Sequence, residues 1–447
     1  MGINIFRKKT FKGGIHPEYN KGISIREPLH DLKLPDKIVV PLSQHIGTPN
    51  EPLVKKGDYV EEGQIIGKSA SFVSSPVHSS IYGTVTGIEK EFHPVLGASL
   101  SIAIERDKEK SSKKYVKSGN KISSREDILE KIRLYGLVGM GGAGFHTHVK
   151  LSIPKDKSVD ILILNGAECE PFLTCDHFLM MRKTKEILRG IEILIDLLQP
   201  KETYIAIEDN KQLMFFAFEN LMKSTDSQEL RDIKISILKT KYPQGGEKEL
   251  IKAITGREVP PGKIPLEVGC LVQNIGTAYA VYEACDLDKP LIERIITISG
   301  DCVKNAGNYL VKVGMTLKDM VDLYGIDFNH DFKKIIFGGP MMGISVPHMN
   351  VPILKSTSGV LFLSEKYIKN FEESQCIRCA KCVDACPLNL LPTEFAKHVK
   401  KERWADLENL WISDCIECGA CSYVCPSRIP IVSYVKEGKS VLRKFKK

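Results

Sequence analysis

The spacing of apolar and polar positions divides the chain into segments of different period. From residue 1 to about 105, apolar residues fall in short β-rich runs (Lys37–Pro41, Tyr59–Val60, Gln64–Lys68, Gly83–Ile88, Ser101–Ile104) punctuated by Gly and Pro, which predicts an all-β unit. Residues 106–125 are rich in Lys and Ser and poor in apolar side chains, as in a linker or exposed loop. From about 125 to 290 helical and strand periods alternate, the pattern of an α/β layered domain. Glu126–Leu134 places Ile128, Leu129 and Ile132 on one helix face, with Ser124 and Asp127 suited to its start. Val159–Leu164 is a β-branched strand, Thr184–Leu198 an amphipathic helix, and Tyr204–Glu208 a second strand. Lys248–Ile254 and Ala278–Ala284 continue as helices. From 291, strand Arg294–Ser299, a helix capped by Thr316 and strand Lys334–Phe337 predict a smaller α+β unit. Thr393–Val399 and Arg403–Trp411 read as helices of a final unit, which Trp404 and Trp411, seven apart, are expected to pack.

That final unit carries the strongest chemistry. Cys376, Cys379, Cys382 and Cys386-Pro387 are echoed by Cys415, Cys418, Cys421 and Cys425-Pro426, each a C-x2-C-x2-C-x3-C-P run. This is the spacing of ferredoxins with two [4Fe-4S] clusters, in which the fourth Cys of each run ligates the other cluster. Cluster one is therefore expected on Cys376, Cys379, Cys382 and Cys425, and cluster two on Cys415, Cys418, Cys421 and Cys386. Zinc knuckles would have no use for the trailing Pro repeated twice. The basic Arg378 beside cluster one and Glu417 beside cluster two would separate their potentials.

Composition narrows the class. The chain has 447 residues, 43% hydrophobic and 26% charged, which suits three or four ordinary globular domains. Five of the thirteen Cys (Cys169, Cys175, Cys270, Cys285, Cys302) stand outside the runs and are scattered singly, as in a reducing compartment. The opening Met1–Lys9 lacks the apolar stretch of a signal peptide, and the longest apolar runs, such as Ile161–Leu164 and Val360–Leu363, are too short to span a bilayer. The net charge is +8, with basic excess in Lys108–Arg125 and Lys436–Lys447. A solvated surface accounts for these stretches, and so does attraction to anionic lipid or an acidic partner. Nucleic acid is not expected, because neither stretch alternates stacking aromatics with its lysines.

The α/β segment holds several Gly-rich turns. Gly139, Gly141, Gly142 and Gly144, followed by Phe145 and Lys150, would let backbone N–H groups approach an anion closely. The strand Val159–Leu164 ends in Asn165-Gly-Ala-Glu168-Cys-Glu170-Pro171, and polar residues at such strand ends are where open α/β sheets place ligands. Tyr242-Pro-Gln-Gly245-Gly-Glu247 and Asn274-Ile-Gly-Thr277 each lead into a helix. A structural turn remains open as the role of each. Gly13-Gly14-Ile15-His16-Pro17 reads equally as a binding loop or a plain turn.

In this order, the four motifs resemble the NADH-oxidising flavoprotein subunit of respiratory complex I over roughly residues 125–345. The front segment, with Val54–Gln64 and Ser75–Val85, resembles biotinyl/lipoyl-type barrel-sandwich domains, but has Val77-His78-Ser79 where the modified Lys would stand, which argues against a swinging arm. Residues 291–350 resemble a β-grasp (SLBB) module. The whole chain is similar to the C-subunit family of Rnf electron-transport complexes. The implied fold is multidomain α/β and α+β: a barrel-sandwich hybrid at 1–115, a Rossmann-like FMN/NADH-binding domain at 120–290, the β-grasp module at 291–350 and a helical two-cluster ferredoxin domain at 365–447.

The resemblance implies FMN contacts from Gly139, Gly141, Gly142, Gly144, Asn274 and Thr277, with Lys150 near the flavin and Asn165 and Glu168 at its edge. Phe145, Glu170, Tyr242 and Glu247, on the turn with Gly245, would face the nicotinamide nucleotide. Glu170, Glu247 and Lys150 are the candidates for positioning the reacting rings. Met140 stands where the respiratory subunit has Arg, and Ala167 and Gly246 where it has acidic residues. The implied function is a peripheral subunit, on the cytoplasmic face of the membrane, of an ion-translocating NAD:ferredoxin oxidoreductase complex. Its partners would be NADH, the membrane-embedded subunits and, through them, ferredoxin. The rival readings are a soluble NADH dehydrogenase or hydrogenase diaphorase subunit and a non-catalytic iron–sulfur scaffold.

Overall fold

A computed structural model of the protein describes residues 8–25, 29–118, 124–368 and 372–445. The opening Met1–Arg7, residues 119–123 of the basic linker and the last two residues of the basic tail lie outside the described residues.

The front unit is a sandwich of two sheets. Lys37–Pro41, Gly97–Arg106, Gly83–His93 and Tyr59–Val60 pair antiparallel in that order, facing a three-stranded sheet of Glu51–Pro52, Ile65–Lys68 and Val77–His78. Inward residues Ile38, Val40, Ile66, Val77, Ile102 and Ile104 form its core, each worth about 1.5–3 kcal/mol on burial. Val77, His78 and Ser79 are all buried, so no modified side chain could swing from that position.

The linker is mostly exposed along its described length, as its composition predicts, but it is pinned at two points. Ser112 donates to the carboxylate of Glu62 and accepts from Lys312, whose fully buried ammonium also reaches Glu62 at 2.9 Å and Glu293 at 2.7 Å. A buried ammonium must find acceptors, and here they come from the front unit, the linker and the start of the β-grasp sheet. Ser118 adds a bond from its N–H to the Asp286 carbonyl.

The central sheet is wholly parallel, in the order Lys234–Leu238, Glu202–Glu208, Ile161–Gly166 and Cys270–Asn274. Helices Arg125–Leu134, Thr184–Leu198 and Ile275–Leu287 contribute to one apolar core, and Glu247–Thr255 packs with Ile161, Ile163 and Val272 in another. Coverage on both faces explains why the strands read as continuous apolar runs rather than alternating ones. Gly190 lets two helices touch: a Cβ there would lie 1.8 Å from the Ala278 carbonyl oxygen.

The third unit is a five-stranded mixed sheet, Gly307–Lys312, Glu293–Ser299, Gly359–Leu363, Lys334–Phe337 and Ile344–Val346 in order. Thr316 caps its helix Leu317–Tyr324 by accepting the Asp319 N–H at 3.1 Å. Its middle strand, Gly359–Leu363, lies beyond position 350, brought back by pairing with both flanking strands. The last unit packs Pro392–Lys400, Trp404–Asn409 and Ile431–Phe445 around Phe395, Leu407, Ile412 and Leu442. Trp404 joins that packing; Trp411, expected to do so, follows the helix in a left-handed conformation and is 57% exposed.

Residues 8–25 stand apart from the front sandwich. They run along the Lys234–Leu238 edge of the central sheet, where Lys9 bridges to Leu238 and Ile15 exchanges both backbone bonds with Tyr242 at 2.8 and 2.9 Å.

Candidate functional site

The C-terminal ends of strands Ile161–Gly166 and Cys270–Asn274 lie side by side, with Asn165 and Asn274 as register partners. Asn274 caps helix Ile275–Leu287, accepting the Gly276 N–H at 2.7 Å, and donates to Asp176 at 2.7 Å. Asn165 donates to the Gly245 carbonyl at 2.9 Å and accepts from the Ala167 N–H. The glycine loop is tied at its base by the Gly139 N–H to the Phe145 carbonyl, 2.7 Å. The Met140 N–H donates to the buried hydroxyl of Thr277 at 3.1 Å, which holds the loop over the helix start. Gly141 faces Asn274, and Gly142, at φ 104°, has open space where a side chain would project. Phe145 is partly exposed beside the loop. Lys150 and Glu247 meet at 2.6 Å, both partly exposed. Free amides, two asparagines, a helix start and an open backbone cradle fit a phosphorylated, hydrogen-bonding planar ligand such as FMN.

Three expected contacts fall elsewhere. Glu168, in the left-handed region, turns inward and accepts the Asp176 N–H at 2.7 Å, capping Cys175–Arg182, and burial pushes its carboxyl up to about 7. Glu170 accepts the N–H groups of Met341 and Met342 at 3.1 and 2.9 Å and so braces a β-grasp turn. Unpaired turn amides are strong donors, and a nearby carboxylate satisfies two at once. Tyr242 is 1% exposed, covered by residues 8–25, and its hydroxyl donates to the Cys418 carbonyl at 2.7 Å. The ring therefore joins the central domain to the cysteine unit rather than fronting an open cleft.

A residue that no sequence motif marks lies under the glycine loop. Arg294 is 5% exposed; its Nε and Nη2 reach the Thr357 carbonyl at 3.2 Å and its Nη1 lies against the Met140 sulfur. No carboxylate lies within ion-pair distance of it among the described residues. An Arg inside the apolar strand Glu293–Ser299 was the available signal.

The cysteines gather in two sets. Cys386, Cys415, Cys418 and Cys421 line a small apolar cleft together with Leu390, Phe395 and Val435. The Leu390 and Glu417 N–H groups donate to the Cys386 and Cys415 sulfurs at 3.3 and 3.4 Å. Burial pushes the Cys418 and Cys421 thiols up to about 12, with the neighbouring Cys415 and Cys386 adding to it. In the other set, burial raises Cys382, and Cys425 and Cys376 lie close enough to raise it further. Four sulfurs around an apolar cleft, with amides aimed at them, fit a cubane; Cys386 lies with the second run's first three, and Cys425 lies beside Cys382 of the first run. Cys376 and Cys379 are exposed, whereas Cys418 and Cys421 are buried, Cys418 against Tyr242 and Cys169 of the central domain and Cys421 in the core of its own unit. The Glu417 charge is offset by Lys439 at 2.8 Å, so the contrast with Arg378 is weaker than its sequence suggests. Among the described residues, no helix is long and apolar enough to cross a membrane.

Comparison with known proteins matches residues 9–109 to the RnfC barrel-sandwich hybrid domain, 132–283 to the Nuo51 FMN-binding domain, 295–345 to the SLBB domain and 372–429 to the 4Fe-4S dicluster domain. The chain is 43% identical to the C subunit of the proton-translocating ferredoxin:NAD(+) oxidoreductase complex of Clostridium ljungdahlii, covering 86% of this chain and 83% of that protein. It is 40% identical to the Na(+)-translocating counterpart of Acetobacterium woodii, covering 90% and 89%. The C subunit of the ion-translocating oxidoreductase complex of Vibrio cholerae is 39% identical over 90% of this chain, which spans about half (51%) of that longer protein. Among solved structures, the air-oxidised NAD+-reducing [NiFe]-hydrogenase shares the fold at TM-score 0.51 and 18% identity, over 67% of this chain and 60% of its own.

Proposed function

Because the chain belongs to the family of C subunits of ion-translocating ferredoxin:NAD oxidoreductase complexes, we propose that it exchanges electrons between NADH and a membrane-embedded assembly through FMN and two [4Fe-4S] clusters. The observation that carries this reading is one turn that touches both sites: its Gly245 carbonyl accepts from Asn165, and its Tyr242 hydroxyl donates to the Cys418 carbonyl of the second cysteine set.

The Gly139–Gly144 amides and the start of helix Ile275–Leu287, whose partial positive charge favours an anion, would hold the flavin phosphate. Arg294 would add a full charge beneath the loop. Asn165 and Asn274 at the strand ends would hydrogen-bond the flavin, and Lys150, Glu247 and Phe145 would serve the nicotinamide nucleotide. FMN, when bound, supplies the passage between a hydride's paired electrons and single electrons. Eight cysteines provide for two one-electron acceptors, so the electron count of one NADH matches the two clusters.

Cysteine exposure orders the route. The buried set, Cys386 with Cys415, Cys418 and Cys421, adjoins the flavin site, and the exposed Cys376 and Cys379 face outward, toward a partner subunit. The ion-translocating machinery belongs to other subunits; this chain docks at the cytoplasmic face, its ferredoxin link being indirect. Of the four modules expected at 1–115, 120–290, 291–350 and 365–447, the first gives up residues 8–25 to the edge of the central sheet and the third gains Gly359–Leu363. Reconstitution with FMN and iron tests the reading: stoichiometric FMN that NADH reduces supports it, and a well-folded chain that takes up no FMN contradicts it.

A further inference from the structure

The segment Phe11–Ile15 is held on three sides at the junction of the two sites. The Gly14 N–H donates to the Ala385 carbonyl at 3.0 Å, one residue before Cys386 of cluster two. Ile15 pairs with Tyr242 in both directions, and Tyr242 itself reaches Cys418. Lys241, beside Tyr242, is buried and donates to the carbonyls of Phe11 and Gly13 at 2.6 and 2.7 Å. Its ammonium lies 3.9 Å from the centre of the Phe11 ring. The segment thus bonds to both ligand runs' neighbourhood and to the flavin domain at once.

Both glycines are required by this fit. Gly13 (φ 83°) and Gly14 (φ 77°) adopt a conformation that side-chain-bearing residues rarely take. A Cβ on Gly13 would fall 2.8 Å from the Cys386 carbonyl oxygen, and one on Gly14 would fall 2.7 Å from that of Tyr242. Both neighbours are backbone, so neither can rotate away. The physical consequence of any added atom is a wider gap between the cysteine unit and the central domain.

We propose that Gly13 and Gly14 are positioning residues for electron transfer: the Phe11–Ile15 strap sets the separation of cluster two from the flavin site. This rests on the reading of the two sites given above and adds to it the element that fixes their spacing. The redox balance is unchanged. NADH gives up a hydride and becomes NAD+, one proton goes to solvent, and two electrons are divided between the two clusters. Only the rate of the inter-site step depends on the strap. Electron transfer between held centres falls off steeply with their separation.

The test uses the full chain loaded with FMN and iron, as wild type, Gly13→Ala and Gly14→Ala, mixed anaerobically with NADH in a stopped-flow spectrometer. Flavin bleaching and cluster bleaching are read at separate wavelengths. The expected result is flavin reduction at the wild-type rate with cluster reduction slowed several-fold, while dithionite still reduces the clusters fully. Lys241→Met, which frees the strap without adding an atom, is expected to slow the same step, and serves where an alanine variant loses iron. Equal cluster rates in the variants and the wild type overturn the strap's role. So does an equal slowing of both phases, which would mark general destabilisation. Wild type that shows no flavin bleaching defeats the functional reading itself and is thereby separable from failure of the strap.

Discussion

The guanidinium of Arg294 lies against the sulfur of Met140, the residue at the centre of the glycine loop, and no carboxylate pairs with it among the described residues. Burial of this cation is costly, and its through-space neighbours Cys175 and Asp176 offset that only in part. An anion bound on the loop above would relieve the remainder. The respiratory relatives carry Arg in the loop itself, so here the charge comes from the strand below.

Arg294→Met is therefore expected to weaken FMN binding by about tenfold or more, the scale of a charge-assisted contact. Riboflavin, which lacks the phosphate, should bind the variant and the wild type alike, and Arg294→Lys should retain most of the FMN affinity. Fluorescence titration with both flavins checks this. A parallel loss for riboflavin would show that Arg294 only supports the fold.

Lys150 and Glu247 form a partly exposed pair at 2.6 Å, and such pairs add about 0–1 kcal/mol to stability. Lys150→Met and Glu247→Gln should leave the melting temperature nearly unchanged. NADH-driven reduction of an artificial acceptor should fall about 10- to 100-fold, as when a group aimed at developing charge is removed. Steady-state rates alongside thermal melts separate the two effects.

Cys386→Ser should strip cluster two and leave most of cluster one, because Cys386 lies with Cys415, Cys418 and Cys421 in one cleft. Wild type should hold about eight iron atoms per chain and the variant about half of that. Iron analysis with EPR of the reduced protein reads the outcome. Loss of cluster one alone would reverse the pairing.

Glu249 is buried beside cluster two, and burial pushes its carboxyl from the usual 4.5 up to about 7. The folded state thus holds a proton that the unfolded chain releases above pH 4.5. This contribution to stability is fully present below the unfolded value and is lost as pH rises through about 7, a difference on the order of 3 kcal/mol. Denaturation at about pH 6 and about pH 8 should show a smaller drop for Glu249→Gln than for wild type.

Local order was readable where one element carries its own pattern. The cysteine runs fix their chemistry by spacing, and the parallel strands by their apolar continuity, so the two clusters and the α/β core followed from the chain. The roles of Tyr242 and Glu170 did not, because each is set by a distant segment: residues 8–25 for Tyr242 and the Gly339–Gly343 turn for Glu170. Motif resemblance implied a nucleotide for both; the tertiary contacts add a bridging role between domains that the motifs do not carry. Trp411 departs from expectation for a simpler reason, since its helix ends at Asn409 and the seven-residue spacing no longer applies. The Phe11–Ile15 strap gave only paired glycines as a sign, and a glycine pair does not say what it approaches.

The passage of electrons between NADH and the clusters by way of the flavin site is tested most directly by anaerobic stopped-flow mixing. The FMN- and iron-loaded chain is mixed with NADH and, separately, with NADPH. Flavin bleaching followed by cluster bleaching, faster with NADH, is the predicted result; clusters that bleach with dithionite but stay oxidised through complete flavin reduction by NADH would contradict it.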